Sequence, residues 1–138
     1  MIHNIRYRIF VYADEDEEKL INALHNLLPT AEVNREIAEG FDEKPITILS
    51  GRIDKNRDIK NFVEKLTNTP QFDKNSFIDN LSRKMDDNGN LFLRFSKEYA
   101  YEDELKIIDS GDSIHLKLKI AAFPAKKKIA IDVIKNNL

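Results

Sequence analysis

Three consecutive lysines, Lys126, Lys127 and Lys128, follow Phe123-Pro124-Ala125. Neighbouring amines can hold phosphate, and a helix opening on them would add free backbone N–H groups and a positive dipole end. No Ser, Thr, Asp or Asn stands immediately before Pro124, so that helix start lacks a side-chain cap. The alternative is a solvated lysine run that costs the helix some stability. A second set of cations is spread over three segments: Arg6 and Arg8, then Arg94, then His115, Lys117 and Lys119. Phe10, Tyr12 and Phe92 occupy the same alternate positions. Cations neutralise phosphate and exposed rings stack unpaired bases, so this second set also points to nucleic acid. Its alternative is that Phe10 and Phe92 are core residues under a helix.

Other chemistries are excluded residue by residue. The absence of cysteine removes thiol nucleophiles, thiolate metal sites and disulfides. Gly40, Gly51, Gly89 and Gly111 are isolated, whereas a phosphate-cradling loop or a dinucleotide fingerprint needs clustered glycines. His3, His25 and His115 share no helical spacing that would hold a metal. The acidic run from Asp14 to Glu18 lacks the order of a calcium loop, and no serine sits in a nucleophile elbow. Asp109 and Asp112 could pair for acid–base or magnesium chemistry, but beside Gly111 they read as turn residues bonding their own backbone. No catalytic residue, metal ligand or cofactor is expected, and the chain is read as a non-enzyme.

The elements that must position these side chains follow from hydrophobic period. Residues 3–12 alternate, with Ile5, Tyr7, Ile9 and Val11 opposite Arg6, Arg8, Phe10 and Tyr12, which predicts a strand. Asp14 followed by Glu17 predicts a capping box opening a helix with Leu20, Ile21, Leu24, Leu27 and Leu28 on one face, ended by Pro29. A weaker strand is expected over 32–38, a turn from Gly40 to Lys44, and a strand over 45–53 in which Gly51 marks a bulge or a close backbone contact. Helices are expected at 56–66 and 75–85, and a strand at 90–96 after the Asn88-Gly89 turn. Residues 97–103 read as a helical turn or a loop. Segments 105–108 and 113–123 then read as a hairpin around Asp109-Ser110-Gly111-Asp112, and a last helix covers 124–136. The expected order is β-α-β-β-α-α-β-β-β-α: an α+β domain spanning residues 1–138, a mainly antiparallel sheet with about four helices on it.

Composition sets the limits. A length of 138 residues suits one domain, and 22 basic against 24 acidic side chains make the molecule nearly neutral. Nucleic-acid affinity must then come from local placement. From Ser113 to Leu138, Lys117, Lys119, Lys126, Lys127, Lys128 and Lys135 stand against Asp132 alone. No apolar run approaches the length of a membrane span, so a soluble, cytoplasmic protein without membrane contact is expected.

The stretch Gly111-Asp112-Ser113-Ile114-His115-Leu116-Lys117-Leu118-Lys119-Ile120, followed by Ala122-Phe123-Pro124-Ala125-Lys126, resembles an archaeal family described as RNA-binding proteins or predicted exosome subunits. Asn90-Leu91-Phe92-Leu93-Arg94-Phe95, Pro45-Ile46-Thr47-Ile48-Leu49 and Asp16-Glu17-Glu18-Lys19 are similar to it as well. Ile2-His3 departs from it, standing where the family has paired histidines. The resemblance implies a fold like that of the 5S-RNA-binding ribosomal protein of the large subunit, RNA as ligand, and exosome or ribosome-linked proteins as partners. The function expected from residues and resemblance together is non-catalytic RNA binding. Phosphate would be held by Arg6, Arg8, Arg94, His115, Lys117, Lys119, Lys126, Lys127 and Lys128, with Phe10, Tyr12 and Phe92 available for stacking. The alternative is a protein-interaction subunit that turns the same basic face toward an acidic partner.

Overall fold

Alternation along β1 (Ile2–Val11) buries Ile5, Tyr7, Ile9 and Val11 and leaves Arg6 and Arg8 in solvent. This strand is the middle of a five-stranded sheet of order β2-β3-β1-β5-β4, with β2 at Asn34–Glu39, β3 at Pro45–Ile53, β4 at Asn90–Phe95 and β5 at Ile114–Ile120. Every neighbouring pair is antiparallel. The computed structural model describes residues 1–39 and 44–138, and the turn expected from Gly40 to Lys44 falls mostly on residues outside that description. Among the described residues no helix is long and apolar enough to cross a membrane.

Helices cover one face of the sheet. Helix α1 (Glu17–Leu27) buries Leu20, Ala23, Leu24 and Leu27, and α2 (Asn56–Asn68) buries Ile59, Phe62 and Leu66. Helix α6 (Lys127–Asn137) adds Ala130 and Ile134. They join Leu91, Leu93, Phe95, Ile114, Leu116, Leu118 and Ile120 from the two late strands in one core. Full burial of such side chains stabilises the fold by roughly 1.5–3 kcal/mol each. Three short helices complete the chain: α3 (Lys74–Asp79), α4 (Leu81–Lys84) and α5 (Lys97–Tyr101). The expected α+β class and antiparallel sheet are present.

The expected local structure is corrected at several places. Asp16, not Asp14, caps α1, accepting from the Glu18 and Lys19 amides. The single helix expected at 75–85 is split at Asn80, whose side-chain amide donates to the Ser76 carbonyl at 2.8 Å and so closes α3. Of residues 97–103, read as a helical turn or a loop, Lys97–Tyr101 form α5, capped by Ser96. Segment 105–108 is not a hairpin arm. Both flanks of β5 are occupied by β1 and β4, so the segment only bridges from Ile107 to Phe95. Helix α6 starts at Lys127, later than Pro124, and its first turn has no side-chain cap.

At Gly51 the expectation of a close contact is met. The residue pairs with Tyr7, and a Cβ there would overlap the Tyr7 hydroxyl and the Glu32 carbonyl, which the hydroxyl donates to. Burial raises the Tyr7 phenol above its ordinary pKa, so the hydroxyl keeps the proton it donates.

Candidate nucleic-acid interface

The helices take the apolar face of the sheet and leave the other one open. Register alone then assembles the site. Arg52, Arg6, Lys117 and Phe92 stand side by side on β3, β1, β5 and β4. The next row is Ser50, Arg8, His115 and Arg94, with Asn34 of β2 beyond Ser50. At the usual strand spacing of about 4.8 Å, each four-strand row spans about 14 Å. These two rows line a trough of about 670 Å³ that holds five permanent cations and no carboxylate among its lining residues.

Cations and rings interleave. The Arg8 guanidinium lies 5.0 Å from the centre of the Phe10 ring, and the Lys117 amine lies 5.9 Å from that of Phe92. Arg94 is aimed by two acceptors, the Gly111 carbonyl at 3.3 Å and His115 Nε2 at 3.4 Å. Because a guanidinium can only donate, His115 Nε2 must accept, which places the ring proton on Nδ1. Burial, then the positive charges of Arg94 and Arg8, push the His115 pKa below its ordinary value. Among the described residues, Arg6, Arg8, Arg94 and Lys117 have no ion-pair partner, so their charge is available to a ligand.

The structure gathers Arg6, Arg8, Arg94, His115, Lys117 and Phe92 of the expected set in one trough. Phe92 is 45% exposed and Phe10 is half-buried on the open face, so neither ring lies under a helix. Lys119 shares the face one row further out, and its amine donates to the Asn88 carbonyl at 2.9 Å. Tyr12 lies just past the end of β1 with the Lys97 amine 5.2 Å from its ring centre. Lys126, Lys127 and Lys128 do not line the trough. They head α6, which packs on the opposite face close to Gly89.

Sequence reasoning passed over Arg52, Ser50 and Asn34. Parity carried on from Ile48 would have placed Ser50 and Arg52 on one face, but only the pairing of β3 with β1 shows that this face is the cationic one. Arg52 lies 3.3 Å from Asp54 in an exposed ion pair, a contact that holds the guanidinium weakly. Lys97 was also passed over. Its buried amine donates to the Phe10 carbonyl at 2.7 Å, to Glu15 at 2.9 Å and to Asp112 at 2.8 Å, tying the end of β1 to the loop before β5. Asp109 is likewise engaged: the hydrogen bond and charge of Arg83, with Lys84 behind them, hold its carboxyl below the usual range. The two aspartates that could have served acid–base chemistry are both ion-paired. Among the described residues no group of three or more His, Asp or Glu side chains could hold a metal.

Fold and surface define a class: an α+β protein whose helices cover one sheet face and whose other face is a cationic platform set with aromatic rings. The chain belongs to the family described as RNA binding, whose model matches residues 4–120. This is the archaeal family that the Gly111–Lys126 stretch resembles. RNA-binding protein PAB1135 of Pyrococcus abyssi is 33% identical over 140 residues, covering 96% of this chain and 91% of its own. The structure of a DUF54 protein from Methanothermobacter thermautotrophicus is similar over 99% of this chain and 97% of its own, with a TM-score of 0.88 and 46% identity. Another DUF54 structure, from Archaeglobus fulgidus, covers 100% of both chains with a TM-score of 0.86 and 26% identity.

Proposed function

We propose that this protein binds RNA without chemically changing it, seating the phosphate backbone in the trough across β3, β1, β5 and β4. The observation that carries the reading is the trough itself: Arg6, Arg8, Arg52, Arg94 and Lys117 share the open sheet face with no carboxylate among the lining residues. In a nearly neutral protein, four cations without an ion-pair partner among the described residues, joined by the weakly held Arg52, give this face a local field for a polyanion. The name of the Pyrococcus relative and the family description support RNA as that polyanion. His115 would receive a phosphate as a proton-dependent sixth partner. Phe10 and Phe92 would meet bases, Tyr12 and Lys119 would lie at the margins, and Lys126, Lys127 and Lys128 would touch only RNA running beyond the sheet. No catalytic step enters the reading, because Asp109 and Asp112 are held by Arg83 and Lys97.

Salt dependence tests it. Five neutralised phosphates on a single strand give a log–log slope near −3.5, a loss of about a hundredfold in affinity between about 50 and 200 mM salt. A flat response in a fluorescence anisotropy titration would overturn the reading. Retention of a protein partner after nuclease treatment, together with a flat response, would favour the acidic-partner alternative.

A further inference from the structure

The platform does not end at β4. At the outer edge of that strand the preceding segment bridges from Met85 to Leu91 and the following one bridges from Ile107 to Phe95. Between the two bridges lies a second cavity, of about 270 Å³, walled by Arg83, Lys84, Ile108 and Asp109 together with Phe92 and Arg94. Phe92 and Arg94 therefore belong to both hollows and form the ridge between them. We propose that this cavity receives one unpaired nucleotide of the RNA lying on the sheet, with its base against Phe92. The inference rests on the RNA-binding reading and deepens it, because it makes the ligand single-stranded at this point.

Size, wall chemistry and access support it. At about 270 Å³ the hollow is far larger than the space one water needs and leaves room for one planar base. The ring of Phe92 is 45% exposed, and its trough side is already flanked by Lys117. Donors and an acceptor stand opposite: the Arg83 guanidinium lies 3.1 Å from Asp109 and the Lys84 amine 3.6 Å from it. Arg83 and Asp109 are both more than half exposed, so they can exchange part of this pairing for a base edge. The strand edge contributes as well. Asn90 and Arg94 direct their carbonyls outward, to Asp86 and Ile108, and by strand alternation the Phe92 carbonyl and the Arg94 N–H face the same way. Asp86 shapes the wall without reading a ligand, because its carboxylate already accepts from the Asn88 and Asn90 amides and the Asn90 side chain. A paired base in an A-form helix is stacked inside the duplex and cannot reach this edge, whereas an unstacked one can.

The test uses the whole protein and two probes, a single-stranded RNA of about twelve nucleotides, within ordinary site sizes for such platforms, and a blunt duplex of the same length. Anisotropy is followed for wild type, Phe92→Ala, Phe92→Trp and Arg6→Glu. Losing one base stack should weaken single-strand binding by about fivefold to a hundredfold in Phe92→Ala, with duplex binding changed by less than about twofold. Phe92→Trp should restore it. Arg6→Glu should weaken both probes. Unchanged single-strand binding in Phe92→Ala, or equal weakening on both probes, overturns this inference while leaving the RNA-binding reading in place. If wild type binds neither probe, that reading fails and the inference falls with it.

Discussion

The trough and the head of α6 are both rich in cations, and they differ in how those cations are held. In the trough, Arg94 is gripped by the Gly111 carbonyl and His115, and Arg8 and Lys117 lie against aromatic rings. Neighbouring strands supply the charges, so the spacing is set by hydrogen-bonded register and changes little with side-chain motion. At the head of α6, Lys126 and Lys128 are exposed, no side chain caps the turn, and the charges oppose the helix dipole. On the proposed reading, a run of lysines along the chain would make a weaker anion site than cations far apart in sequence that a sheet brings into adjacent rows. Preorganised donors lose less freedom on binding, which is why the dispersed set is expected to dominate.

Charge reversal on each side breaks or sharpens that contrast. The largest effect is expected from Arg8→Glu with Arg94→Glu. Losing two charge-assisted contacts worth about 1.5–3 kcal/mol each lowers RNA affinity by two to four orders of magnitude, with an unchanged circular dichroism spectrum. A loss below tenfold would remove the trough from its leading role. Next comes the triple change Lys126→Glu, Lys127→Glu and Lys128→Glu, which should cost less than about tenfold in affinity and raise the melting temperature. Carboxylates in a first turn favour the dipole by about 0.3–1 kcal/mol each where lysines oppose it. A loss as large as that in the trough would place the anchor at the helix head instead.

The smallest effect is expected at His115. Its folded pKa lies below 6.5, so at neutral pH the ring is uncharged. A phosphate beside it favours the imidazolium, so the complex takes up a proton and affinity rises severalfold as pH falls from about 7.5 to about 5.5. His115→Asn should flatten that profile. The sign for stability is opposite. The unfolded ring binds protons more readily than the native one, so the native state loses stability as pH falls through 6.5, and the loss levels off below the folded pKa. Thermal melts of wild type beside His115→Asn check this.

Much of the platform could be read from period alone. Strand β1 from Ile5 onward and strand β5 alternate, and because they pair, parity put Arg6 with Lys117 and Arg8 with His115. Arg52 escaped because no pattern within one strand says which neighbour it will pair with. Lys97 escaped because a lysine opening a short helix reads as a surface residue, and its burial depends on Glu15 and Asp112 arriving from distant segments. The false hairpin arm at 105–108 has the same origin. Apolar spacing suggested a strand there, but the sheet had no free edge beside β5 to receive it. Local rules also misplaced helix starts by two or three residues where several candidate caps compete, as with Asp14 and Asp16.

The Lys97 clasp has a reach that its position does not suggest. Its amine fastens Asp112, the residue after Gly111, whose carbonyl steers the Arg94 guanidinium. The same amine fastens Glu15, just ahead of the first helix. Loosening a carboxylate in the opening acidic stretch would therefore be felt, through Lys97 and Asp112, next to the carbonyl that aims the guanidinium on the far edge strand, a path of three hydrogen bonds between segments almost a hundred residues apart in sequence.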